Sequence, residues 1–137
     1  MAYRIRRVEY FHATVVDQPG EAYRVLHALA GLGVSLLGFT AVPVGPESTQ
    51  LTLFPEDSGK MRSEAQKAGM ALDGPHRALL VQGDDELGAL ATVHEKIYRS
   101  SVNVYASSAI ADGAGKYGHL IYVRPEDFER AAKALEV

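Results

Sequence analysis

Asp17-Gln18-Pro19-Gly20 and Asp85-Glu86-Leu87-Gly88 are one turn written twice, 68 residues apart. At the same offset Val25 falls on Val93, Val34 on Val102, Ala41 on Ala109 and Gly45 on Gly113. Pro55-Glu56-Asp57 recurs 70 residues on, as Pro125-Glu126-Asp127, which places two extra residues in the glycine-rich turn between the matched blocks. A solenoid repeat runs about 20–50 residues and needs several copies to close a core. This period in a chain of 137 residues marks a duplicated half-domain instead, over 1–72 and 73–137. Duplicated units tend to bind at equivalent places, and the acidic-glycine turn is the most distinctive thing copied.

Each copy is at or below the size of roughly 70–80 residues at which a lone core becomes comfortable, and no cysteine staples it, so the copies are expected to share a core. A hydrophobic content of 47% with 23% charged residues is that of an ordinary globular protein. The net charge of −3 exerts no pull toward nucleic acid, and Arg4, Arg6 and Arg7 are too short a cluster to change that. No stretch reaches the roughly 20 apolar residues of a membrane span. Arg4, Arg6, Arg7 and Glu9 break up any signal-peptide core, so a cytoplasmic location with no membrane partner is expected.

Tyr3 to Val16 alternates as one long strand, with Val8, Tyr10, His12 and Thr14 on one face and Phe11, Ala13 and Val15 on the other. After the first turn, Ala22, Val25, Leu26, Leu29 and Leu32 recur at helical spacing up to Gly31 or Gly33. Val34 to Val42 is almost wholly apolar and is expected to be covered on both faces. Thr49 to Phe54 is expected to complete an antiparallel hairpin with it, Leu51 and Leu53 pointing inward. Pro55 and its acidic pair suit the first turn of a helix over 57–72, with Met61, Ala65, Ala68 and Leu72 on its buried side. Asp73-Gly74-Pro75 is expected to end that helix and join the copies. The second copy repeats the order: a strand over 76–82, a helix over 87–99 with Leu90, Val93 and Ile97 inward, strands over 102–110 and 117–123, and a helix over 126–135.

Strand-helix-strand-strand-helix with an Asp-x-Pro-Gly turn after the first strand resembles the ACT family of small-molecule sensing domains. Gly33-Val34-Ser35 and Ser101-Val102-Asn103 are similar to that family's approach to its second strand. The resemblance implies an α+β fold of two ferredoxin-like βαββα repeats with antiparallel sheets and helices on one face. It also implies a ligand lying between units. Leu87 departs from the pattern where the first copy has Pro19, which makes the first turn the expected better ligand site. An ACT unit has a fourth strand after its second helix, yet only one strand separates that helix from the next acidic turn. The copies are therefore expected to exchange or share edge strands, using the long segment 3–16. Two self-contained four-stranded sheets would contradict this.

A free amino acid carries a carboxylate and an ammonium on one carbon. A helix N-terminus offers unpaired N–H groups to the carboxylate, and a glycine there lets the ligand approach the backbone. Gly20 and Gly88 occupy that place, flanked by Gln18, Pro19 and Leu87; Asp17, Asp84 and Asp85 are candidates for the ammonium. Leu37 and Phe39 in one copy, and Asn103 and Tyr105 in the other, are placed to select the ligand side chain. The competing role for Asp17 and Asp85 is structural, because an aspartate before a helix is a preferred cap.

Other chemistries find less support. No histidines stand in a His-x-His or His-Glu-x-x-His pair, so neither metal nor cofactor is expected. Glyoxalase-like metal enzymes share the duplication and an early strand histidine, but the helices over 57–72 and 126–135 argue against them. Asp112-Gly113-Ala114-Gly115-Lys116 lacks the Ser or Thr of a phosphate loop, and Ser107-Ser108 has no partnered base. The sequence points to a non-catalytic, amino-acid-binding regulatory protein that forms a homodimer. The alternatives are a metal-dependent lyase or dioxygenase and a purely structural dimerisation module.

Overall fold

The computed structural model describes residues 3–137. The elements are β1 (Tyr3–Val16), α1 (Glu21–Gly31), β2 (Leu36–Pro43), β3 (Ser48–Pro55), α2 (Ser58–Lys67), β4 (Asp73–Asp84), α3 (Ala89–Arg99), β5 (Ala106–Ala111), β6 (Lys116–Tyr122), a 3-10 turn (Pro125–Asp127) and α4 (Phe128–Ala134). The six strands follow the order β2-β3-β1-β4-β6-β5. This is an α+β fold with one mixed-order antiparallel sheet in place of two self-contained four-stranded ones.

The chain divides into two compact units, one of Glu9–His76 and the other of residues up to Val8 together with Arg77–Val137. The division falls inside β1 and β4, not at the 72/73 join that the repeat suggests. Its physical reason is visible in β1. Phe11, Ala13 and Val15 enter the core built with Val25 and Leu29 of α1, Leu51 and Leu53 of β3 and Met61 of α2. Tyr3 and Ile5, on the same face of the same strand, pack instead on the core formed by β4, β6, α3 and α4. A 14-residue strand is long enough to serve both.

The edge strands differ from expectation. The apolar second strand of the first copy was expected to be covered on both faces, yet β2 is half-buried to exposed; every residue of its counterpart β5 is exposed. Strand order explains this, since each has a neighbour on one side only. Helix α2 stops at Lys67 because Gly69 takes a left-handed conformation (φ 71°), leaving Ala68 exposed and Leu72 beyond the helix. Asp73-Gly74-Pro75 accordingly begins β4 and does not end a helix. Pro55 closes β3, and Asp57 caps α2 by accepting from the Lys60 N–H at 3.0 Å.

The hairpin registers relocate the insertion between copies. Pro43 pairs with Thr49 and Gly38 with Phe54; Ala111 pairs with Tyr117 and Ala106 with Tyr122. Every pair keeps the 68-residue offset, so the glycine-rich turns are equal in length. The two extra residues lie after the third strand, where β3 runs to Pro55 but β6 ends at Tyr122 before the 3-10 turn.

Candidate functional site

Both acidic-glycine turns have the same backbone. The Asp17 N–H donates to the Glu47 carbonyl and the Asp85 N–H to the Gly115 carbonyl, each at 2.9 Å. Gly20 (φ 87°) and Gly88 (φ 81°) then stand in the left-handed region as the N-caps of α1 and α3. Neither helix has a side-chain cap. The capping role expected for Asp17 and Asp85 is therefore not the one they play: each lies three residues before the cap, and glycine occupies the cap itself. A side chain at either glycine would be strained by the positive φ, although no atom stands in its way.

Without a side-chain cap, early N–H groups of each helix stay open. In α3 the Ala89 N–H donates to the Glu86 carbonyl and the Thr92 N–H to Gly88, while Leu90 and Ala91 have no backbone acceptor among the described residues. Those two amides and the positive end of an 11-residue helix face a cleft of about 530 Å³. Its far wall is Ala109, Ile110 and Ala111 of β5, with Tyr117 of β6 behind them. Small side chains on the helix-facing side of β5 make the room.

Tyr117 backs the cleft from within the core. The residue is 6% exposed, and its hydroxyl is buried with no hydrogen-bond partner among the described residues. Burial pushes the phenol pKa up, and the Tyr3 and Glu86 groups add to that. A buried donor left unpaired costs free energy.

Of the residues expected to bind, Asp85, Leu87 and Gly88 line this cleft, and Leu87 is fully exposed there. Asp84 is held in a close ion pair with Lys116. Asn103 and Tyr105 precede β5 and do not line the cleft. Leu90, expected in the core, is 42% exposed on the cleft wall, because a helix starting at Ala89 turns Ala89, Val93 and Ile97 inward. Asp17, Gln18, Pro19 and Gly20 are exposed beside α1, where Phe39 of β2 faces the same side as Leu53 and Leu37 is half-buried. Tyr117 and Ala109 to Ala111 were not singled out from the sequence as ligand contacts. The run of alanine and serine in a predicted strand was the available signal.

One turn along α3 from the cleft, His94 meets His119 of β6. Their Nε2 atoms are 3.3 Å apart, and Ser107 Oγ of β5 lies 3.5 Å from His94 Nε2. His119 is 1% exposed, its Nδ1 has no partner among the described residues, and burial together with nearby His94 holds its pKa at about 4. In the other unit His12 Nδ1 lies 3.1 Å from Thr52 Oγ1, and His76 Nε2 lies 3.0 Å from an Asp73 oxygen. Among the described residues no three or more His, Cys, Asp or Glu side chains gather as a metal-binding group. No described helix is long and apolar enough to cross a membrane.

No protein-family model matches the sequence, and no curated protein is detectably similar to it. Solved structures do match. Protein BT0572 from Bacteroides thetaiotaomicron is similar with a TM-score of 0.80 at 15% identity, over 96% of this chain and 88% of that one. The ligand-free regulatory subunit of aspartate kinase from Thermus thermophilus is similar at 0.62 and 15% identity, over 98% and 95%. Aspartokinase alpha and beta subunits give 0.59 at 16% identity, again over 98% and 95%. At such identities the likeness establishes the fold alone: this chain shares the fold of those structures.

Proposed function

We propose that this protein is a non-catalytic regulatory or sensor protein that binds a small zwitterion, an amino acid above all, at the N-terminus of α3. The observation that carries this reading is the uncapped helix end at Gly88 opening on a cleft backed by Tyr117. The Leu90 and Ala91 amides would take the ligand carboxylate, and Asp85 or Glu86 the ammonium. The cleft puts the second turn ahead of the first, despite Pro19. The likeness to regulatory subunits of aspartate kinase supports a regulatory role over a catalytic one.

On this reading the chain is a tandem of ACT-type repeats, roughly 1–72 and 73–137, each completed by a strand it shares through β1 and β4. The fully exposed, uncharged edge β5 supports a homodimer formed by edge pairing, since such an edge is a template for another strand. A cytoplasmic location belongs to the same proposal. The test is a thermal-shift and calorimetric screen against the twenty amino acids. A ligand at about 100 times its Kd adds about 2.7 kcal/mol of stability. No shift with any amino acid would leave the structural dimerisation reading ahead.

A further inference from the structure

The hairpin registers and the repeated turn hold the two copies at one offset from the first helix to the third strand. His94, Ser107 and His119 correspond, at the constant offset of 68, to Leu26, Phe39 and Leu51. Leu51 is fully buried and Leu26 packs against the same core, so the scaffold is satisfied by apolar groups at those places. The fold does not ask for two imidazoles and a hydroxyl there. Their presence leaves His119 Nδ1 buried and unpaired, a cost that a core leucine does not carry.

The geometry of the imidazole pair is specific. A tetrahedral zinc site with Zn–N of about 2.0–2.1 Å places two ligand nitrogens about 3.3–3.4 Å apart and the imidazole centres about 5.2 Å apart. Here the Nε2 atoms are 3.3 Å apart, the ring centres 5.1 Å, and the ring planes differ by 16°. An in-line N–H···N bond of that length would hold the ring centres about 5.6 Å apart, and it would be longer than the usual 2.9–3.0 Å or so. The pair is therefore not an in-line hydrogen bond, and its nitrogen separation is that of two ligands on one zinc ion. Ser107 Oγ lies beside the pair, 3.5 Å from His94 Nε2.

We infer that His94, His119 and Ser107 form a binding site for a borderline divalent transition-metal ion of the zinc type. The two imidazoles are the strong ligands, Ser107 is a weaker third, and water completes the coordination. Neutral imidazole nitrogen suits zinc, nickel and copper, whereas the absence of a carboxylate among the three disfavours calcium and magnesium. An ion reaches the site from the partly exposed His94 and exposed Ser107 side, with His119 as the floor. Sequence spacing hid this site because its ligands come from a helix and a strand 25 residues apart. The inference does not rest on the amino-acid reading; it stands or falls with the metal alone.

The test is calorimetric titration of the intact chelator-treated protein with zinc chloride, paired with cobalt(II) absorption as a readout of tetrahedral nitrogen ligation. One saturable zinc equivalent and tetrahedral cobalt bands are expected. His94→Leu, which copies Leu26 of the other unit at a partly exposed position, is expected to weaken zinc binding by at least about 10–100-fold and remove the cobalt bands. Ser107→Ala is expected to have a smaller effect. Binding unchanged in His94→Leu, loss of binding in His76→Ala, or no saturable zinc binding by the wild-type protein would each overturn the assignment. His119→Leu provides a second ligand deletion, and circular dichroism of each variant separates lost ligation from lost folding.

Discussion

The two units place the same elements at the same offset and fill them differently. Beside α1 the helix-facing positions are Leu26, Phe39 and Leu51; beside α3 they are His94, Ser107 and His119. Leu26 and Leu51 of the first set join a hydrophobic core while Phe39 is 38% exposed; the second set, with Ala109 and Ala111 further along β5, leaves a cleft and a polar cluster. A scaffold that holds its shape with either set assigns the polar set to something other than folding. One unit works as the structural reference for the other.

The strongest way to break that comparison is to damage the reference. Leu51→Ala, at a fully buried position, is expected to cost about 2–5 kcal/mol in urea unfolding. The equivalent exchange in the other unit, His119→Leu, is expected to be neutral or to raise stability by about 1–2 kcal/mol in chelator, because it removes an orphaned buried nitrogen. A loss as large as that of Leu51→Ala would show that His119 is structural and that the units are not interchangeable there.

Acid sharpens the comparison from the other side. His12, in the unit of Glu9–His76, has its pKa lowered by burial first and by nearby His76 second, against opposing effects of Asp73 and the Leu51 backbone. The unfolded chain therefore takes up a proton at His12 before the folded one does. The stability it confers is whole above the ordinary histidine value of about 6.5 and is lost as pH falls from there to the folded-state pKa. His12→Gln is expected to flatten that limb of the stability-against-pH curve. An unchanged slope would remove His12 as its source.

The smallest effects concern the caps. Asp57→Ala removes the carboxylate that accepts from Lys60 and is expected to cost about 1 kcal/mol. Asp17→Ala and Asp85→Ala are expected to stay within about 0.5 kcal/mol, since neither carboxylate caps its helix. A loss at Asp85 comparable to that at Asp57 would restore the capping role and weaken the case for an open helix end.

Much of this fold is legible in the sequence because periodicity reports the face that an element buries. Val25 and Leu29, Val93 and Ile97, and Phe11, Ala13 and Val15 are buried as their spacing implies. Periodicity says nothing about lateral neighbours. The apolar run of β2 reads as a covered strand, yet edge status is fixed by strand order, a long-range property. Gly69 ended α2 early because a left-handed glycine outweighs two further apolar residues at helical spacing. The acidic-glycine turn was recognisable, but its cleft was not: that depends on small residues of β5 lying opposite α3 and on Tyr117 behind them. The imidazole pair likewise forms only once β6 and α3 are packed together.

The central claim is that a small zwitterion binds at the open N-terminus of α3 and not at its counterpart on α1. Amide chemical shifts followed by NMR during titration with the amino acid that gives the largest thermal shift test it most directly. The Leu90 and Ala91 amides and the Tyr117 ring are expected to move with saturation, while Ala22 and Tyr23, in the equivalent turn of α1, stay in place. Shifts confined to Ala22 and Tyr23, or saturable binding that leaves both turns unmoved, would contradict the account.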